Sequence, residues 1–248
     1  MAGEIAAGSS SSDWIRVEGL TKRYGAVPAL ADVAFSIRPG EILGLIGPNG
    51  AGKTTLFECL AGVLPPTSGN ICLDGQPLTV RSRTRTLFYL PDAIAPWPAQ
   101  TVRWALDFTI GFFDGRRDLL GRVVDGLELG PLLDSPIGTL SKGQRKRILL
   151  AIGLLTSQPM LMADEPFDGL DLRQTREVAA ILQTHARSGR TLFLSIHQIA
   201  DAARLCDRFV LLSAGKVCGA GTLDGLAGLA RSKGSSASNL EEVFLALT

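Results

Sequence analysis

Gly47-Pro48-Asn49-Gly50-Ala51-Gly52-Lys53-Thr54-Thr55 is the stretch on which the rest of the chain turns. It fits G-x-x-x-x-G-K-[ST], a phosphate-binding glycine loop or P-loop, with Gly47 and Gly52 in the two glycine places. The run before it, Ile42-Leu43-Gly44-Leu45-Ile46, reads as a buried strand. After it, Lys53 to Leu64 carries Leu56, Leu60, Ala61 and Leu64 at helical spacing. Strand, loop and helix thus come in the order phosphate binding needs. Backbone N–H groups in such a loop converge on phosphate oxygens, and the following helix adds its positive end. Lys53 is expected to reach the β- and γ-phosphates, and Thr54 to place its hydroxyl on Mg²⁺.

Composition limits what this loop serves. Of 248 residues, 46% are apolar and 20% charged, an ordinary globular balance with ample core. A formal net charge of +1 gives no electrostatic case for nucleic acid, so no nucleic-acid partner is expected. The basic runs Arg81 to Arg85 and Lys142 to Arg147 read first as solvated faces. Cys59, Cys72, Cys206 and Cys218 show no metal-site spacing, which points to a reduced, cytosolic chain. Met1 to Ser12 is small and polar, a disordered tail rather than a signal peptide. Apolar stretches such as Ile148 to Leu155 fall short of the roughly 20 residues that span a bilayer. Work at a membrane would need another chain to supply the membrane part.

Along the chain, Trp14 to Tyr24 and Val33 to Ile37 alternate as half-exposed strands. Gly69 to Leu73 with the Asp74-Gly75 turn reads as a short hairpin, and Arg85 to Leu90 as a strand. Between about residues 93 and 155 the texture turns helical (Val102 to Phe113, Asp118 to Leu129, Ser141 to Thr156), a lobe inserted into an α/β core. Strand and helix then alternate. Met160 to Ala163, Thr191 to Ile196 and Arg208 to Leu212 read as strands, Leu172 to Ser188 and Ile199 to Cys206 as helices. Leu223 to Ala230 and Leu240 to Leu247 are further helices, separated by a polar linker over residues 232–238. The alternation predicts a mainly parallel sheet with helices on both faces.

Met160 to Glu165 is an apolar strand ending in two carboxylates. Its distance along the chain from Lys53 suits neighbouring strands with the lobe between them. Asp164 is expected to hold Mg²⁺, and Glu165 to orient or deprotonate an attacking water. About twenty residues earlier, Leu140-Ser141-Lys142-Gly143-Gln144 opens a helix.

Together these segments resemble the ATP-binding-cassette (ABC) family, and the resemblance covers nearly the whole chain from Trp14 onward. Ser141, Lys142, Gly143 and Gln144 match its signature segment, with Lys142 where the family usually has glycine; its side chain is expected to face solvent. Tyr24 matches the aromatic that stacks on adenine, Asp168-Gly169-Leu170-Asp171 the D-loop, and His197 the switch histidine. An imidazole can hydrogen-bond a γ-phosphate and change its own protonation easily. His185, on the amphipathic helix, is read as structural. Asp92, in Tyr89-Leu90-Pro91-Asp92, stands in the Q-loop place; it keeps an oxygen ligand for Mg²⁺ and loses the amide donor.

The resemblance implies an ABC ATPase domain over residues 13–231, with an N-terminal antiparallel β subdomain and the helical subdomain. A linker and a short helix would fill residues 232–248. It implies an ATP- and Mg²⁺-dependent ATPase working as a head-to-tail dimer with a second copy or a homologous subunit. A separate transmembrane permease would hold it at the inner face of the cell membrane. The tail Asn239-Leu240-Glu241-Glu242-Val243-Phe244 resembles bacterial exporter-type ATPases. A soluble ABC ATPase outside transport is the alternative.

Overall fold

The computed structural model describes residues 13–92, 94 and 96–248, so the tail expected over residues 1–12 lies outside the described residues. Strands β1 (Ile15–Tyr24) and β2 (Val27–Ile37) precede β3 (Ile42–Ile46), which feeds the P-loop and α1 (Lys53–Ala61). Next come β4 (Ser68–Leu73), β5 (Gln76–Pro77), α2 (Val80–Thr86) and β6 (Leu87–Leu90). Helices α3 (Val102–Phe112), α4 (Leu120–Gly126) and α5 (Lys142–Leu155) form the inserted lobe. The chain returns through β7 (Met160–Asp164), α6 (Leu172–Arg187), β8 (Thr191–Ser195), α7 (Ile199–Leu205) and β9 (Arg208–Ser213). It ends with β10 (Lys216–Gly221), α8 (Leu223–Ser232) and α9 (Leu240–Leu247).

The larger sheet runs β10-β9-β3-β8-β7-β6, parallel from β9 to β6 with β10 antiparallel at the edge. Successive residues of its inner strands serve two different cores. Ile42, Leu161, Leu192 and Leu211 pack with α3, α5, α6 and the C-terminal helices. Leu43, Met160, Phe193 and Val210 pack instead with α1 and the opening strands. Burial on both faces is why these strands read as unbroken apolar runs. A second, antiparallel sheet, β2-β1-β4-β5, covers the α1 side.

Three sequence expectations need correction. The strand expected from Arg85 starts at Leu87, because Thr79 caps α2 by accepting the Ser82 N–H and carries the basic run into a helix. Nor is that run only a solvated face, since Arg83 Nε donates to the Leu60 carbonyl at 3.1 Å. The P-loop strand and the Asp164 strand are not neighbours: β8 lies between β3 and β7. β10 is a strand the sequence does not predict, since it ends in Gly219-Ala220-Gly221 without apolar alternation, and β2, expected over Val33 to Ile37, begins earlier, at Val27.

Candidate active site

Two P-loop glycines are dictated by close backbone approach. A Cβ on Gly47 would stand 2.3 Å from the Leu212 carbonyl oxygen of neighbouring β9. Gly52 has φ +104°, and a Cβ there would meet the Ala29 carbonyl at 2.7 Å. Pro48, Asn49 and Gly50 form the exposed rim, with Ala51 buried beneath and its N–H donating to the Pro48 carbonyl at 3.1 Å. Lys53 is buried; its Nζ donates to the Gly47 carbonyl at 2.8 Å and the Pro48 carbonyl at 3.2 Å. The ammonium is therefore already folded over the loop, where phosphate oxygens would replace the carbonyls. Thr55 is half-buried behind Thr54.

Thr54 Oγ1 donates to Asp164 Oδ2 at 2.7 Å, joining the start of α1 to the end of β7. Asp164 is buried, and the Ser195 hydroxyl, wholly buried at the end of β8, donates to its other oxygen. This donor set fits Mg²⁺, a hard cation that takes oxygen ligands and keeps several waters. Next in the chain, Glu165 adopts a left-handed φ of +49°. Its N–H is shared between the Ser195 carbonyl (3.2 Å) and the Ser195 hydroxyl (3.1 Å), which hold it there. Such a conformation is uncommon for a non-glycine residue and persists where its surroundings over-determine it. Glu165, Asp168, Ser195 and His197 line one cleft of about 270 Å³.

The signature segment begins α5 through a reciprocal cap. Ser141 Oγ accepts the Gln144 N–H at 3.3 Å, and Gln144 Oε1 accepts the Ser141 N–H at 2.9 Å. A Cβ on Gly143 would come 2.7 Å from the Gly169 carbonyl, so the first turn lies directly on the Asp168-Gly169 loop. Lys142 corrects its sequence reading. Its ammonium does not simply face solvent but pairs with Asp168 Oδ2 at 2.5 Å. Their hydrogen bond raises the Lys142 pKa and lowers that of Asp168.

Asp92 pairs with Lys146 Nζ at 2.6 Å. One oxygen each from Asp92, Glu165 and Asp168 lies within 4.8 Å of the others, a grouping distinct from the Thr54–Asp164 pair. Tyr24 is half-exposed, with Lys22 Nζ 5.4 Å from its ring centroid, a cation–π distance. His185 stands apart from the cleft. Burial first, then Arg190, Arg116 and Arg122, lower its pKa to about 4.

Two site residues escaped the sequence reading. In the sequence Ser195 is only a polar residue near the end of the strand expected from Thr191 to Ile196. Yet β7 and β8 each end in a polar residue, and the register sets Asp164 opposite Ser195. Lys146 lay inside a basic run, four residues after Lys142 and so on the same helix face.

Comparison with known proteins gives a consistent picture. Residues 30–168 match the family model described as ABC transporter. The chain is 32% identical over 207 residues to the SkfA peptide export ATP-binding protein SkfE of Bacillus subtilis (strain 168), covering 82% of this chain and 87% of that protein. It is 34% identical over 220 residues to the sulfate/thiosulfate import ATP-binding protein CysA 2 of Rhizobium meliloti (strain 1021), covering 85% of this chain and 60% of that one. The solved structure of an ATP-binding subunit of an ABC transporter superposes with a TM-score of 0.84 at 29% identity, covering 94% of this chain and 99% of that one.

Proposed function

This chain belongs to the ABC transporter family as an ATP-hydrolysing, ATP-binding subunit, and from that premise we propose how its residues divide the reaction. The P-loop amides and Lys53 grip the β- and γ-phosphates, Lys53 giving up the Gly47 and Pro48 carbonyls to do so. Tyr24 offers its free face to the adenine. Thr54 and Asp164 would hold Mg²⁺, with Ser195 fixing the carboxylate. When bound, that ion neutralises charge on the phosphate oxygens.

Glu165 orients a water for attack on the γ-phosphorus and takes its proton as the bond to the ADP oxygen breaks. His197, in the same cleft, donates a hydrogen bond to the γ-phosphate. The single observation that carries this assignment is the meeting of Glu165 and His197 in one cleft beside the Thr54–Asp164 pair.

The site is completed by a second copy or a homologous subunit arriving head to tail. Its Ser141, Lys142, Gly143 and Gln144 bring a helix N-terminus and a hydroxyl to the γ-phosphate. ATP thus favours the closed dimer, and hydrolysis releases it.

A transmembrane permease docks on the helical lobe and holds the chain at the inner face of the membrane. Two features support this. Trp104, Phe108 and Phe112 stack along one exposed stripe of α3 with centroids 5.0 and 5.5 Å apart. Beside it, Val63, Val80, Phe88 and Ile94 line a mainly apolar groove of about 480 Å³. Exposed apolar patches of this kind mark interaction sites. Among the described residues no helix is long and apolar enough to cross a membrane itself. We assign the direction as export, on the resemblance of the C-terminal tail.

The test is Glu165→Gln. Turnover should fall at least about a hundredfold, in line with loss of a positioned general base. ATP binding should persist, and an ATP-dependent dimer should accumulate in sedimentation. Equal turnover in variant and parent would remove Glu165 from the mechanism.

A further inference from the structure

Lys142 and Lys146 lie one turn apart on a single face of α5, and each ends on a carboxylate beside Glu165. Lys142 takes Asp168 and Lys146 takes Asp92; Glu165, the third member of the carboxylate group, is left out of both pairs. Three carboxylates with oxygens within 4.8 Å repel one another strongly unless cations sit among them. The two lysines supply those cations from one helix.

The two arms differ in strength. The Lys146 side chain is only 7% exposed, and a buried ammonium that loses its partner is strongly destabilised. Lys142 is 64% exposed, so its charge pair alone is weak. Its stem adds contact, however. A Cβ on Gly169, which has φ +80°, would stand 3.2 Å from Lys142 Cγ and Cδ. Gly143 meets the Gly169 carbonyl from the same turn.

We propose that Lys142 and Lys146 form a two-point clamp fixing the start of α5 to the carboxylate group, Lys142 through Asp168 of the Glu165–Asp171 loop and Lys146 through Asp92 just after β6, which makes them positioning residues for hydrolysis. The signature segment and the catalytic carboxylate then move as one block. A second subunit closing on Ser141 to Gln144 is felt at Glu165 in the same chain. The clamp stands on the contacts within one chain; its consequence for turnover rests on the composite site proposed above.

Amide hydrogen exchange on the full chain without nucleotide tests the clamp. In Lys146→Met and in Asp92→Asn, exchange should accelerate at least about tenfold across both residues 144–148 and residues 168–171, while residues 53–61 stay unchanged. Loosening of one segment alone, no change, or uniform loosening of the whole chain would each overturn the proposal. For the outer arm, the swap Lys142→Asp with Asp168→Lys should recover protection that either single change loses; simple addition of the two losses counts against it.

Steady-state kinetics of Lys146→Met should show kcat reduced about tenfold with the KM for ATP within about twofold, because the P-loop is untouched. A rise in KM without a fall in kcat contradicts a positioning role. Glu165→Gln judges the hydrolysis reading separately, since exchange reports the clamp whether or not that variant turns over.

Discussion

Ser195 is a single buried hydroxyl that holds both residues of the carboxylate pair. It donates to Asp164, accepts the Glu165 N–H, and so sets both carboxylates from one position. Ser195→Ala strips one partner from each, and losing such a bond at a buried charged group costs about 1–3 kcal/mol. The expected result is a roughly tenfold to hundredfold lower kcat with ATP affinity near parental, read by steady-state assay and calorimetric titration. Gly47→Ala forces a methyl to 2.3 Å from the Leu212 carbonyl, so β3 and β9 must separate. A loss of about 2 kcal/mol or more in denaturant unfolding is expected, together with lost nucleotide binding.

His185 makes a pH prediction. Its folded pKa of about 4 lies below the ordinary 6.5, so between those values the unfolded chain binds more protons and stability falls as pH falls. The loss is fully developed only below the folded value. His185→Gln should therefore flatten the stability difference between about pH 7.5 and pH 5 by about 1–2 kcal/mol, after allowing for partial solvent screening. An unchanged slope in chemical denaturation would exclude the residue as its source.

At the scale of elements, β3 is anchored at its start by charges the apolar pattern does not reveal. Arg208, opening β9, donates from one guanidinium nitrogen to both oxygens of Glu41 at 3.1 Å, and the Arg38 N–H donates to Oε1 at 2.8 Å. Both side chains are buried. Arg208→Met leaves the Glu41 carboxylate buried and half-satisfied, with an expected cost of about 3 kcal/mol in thermal or denaturant unfolding. Arg208→Met with Glu41→Gln should recover part of it. The strands themselves were legible because both faces of the sheet are covered, so β3, β7, β8 and β9 are continuous apolar runs. α2 was not legible. Its sequence, Val80 to Thr86, has no apolar stripe, and it is defined by the Thr79 cap and by Arg83 reaching the Leu60 carbonyl.

Across the whole molecule, the helical lobe turns outward the aromatic stripe that we assign to the permease. Phe112 is 70% exposed at the end of that stripe, and a contiguous exposed apolar patch marks an interaction site. Phe112→Asp should leave the melting temperature and basal ATP turnover unchanged while abolishing co-purification with the membrane partner. Retention of the partner would move the docking surface elsewhere.

By itself, the sequence determined the nucleotide chemistry. The glycines, lysine and threonine of the P-loop, and separately the paired carboxylates at the end of β7, are short local patterns that phosphate and metal binding require. Tertiary structure decided what lies between those segments. Only the strand order puts β8 between β3 and β7 and so brings the Ser195 hydroxyl onto Asp164. Only the packing of α5 against both the Asp168-Gly169 loop and the segment after β6 turns two lysines of a basic run into partners of Asp168 and Asp92. The physical reason is the range of the interactions. A loop's affinity for phosphate is carried by its own backbone, whereas an ion pair or a buried hydroxyl acts through groups that are distant in sequence until the sheet closes.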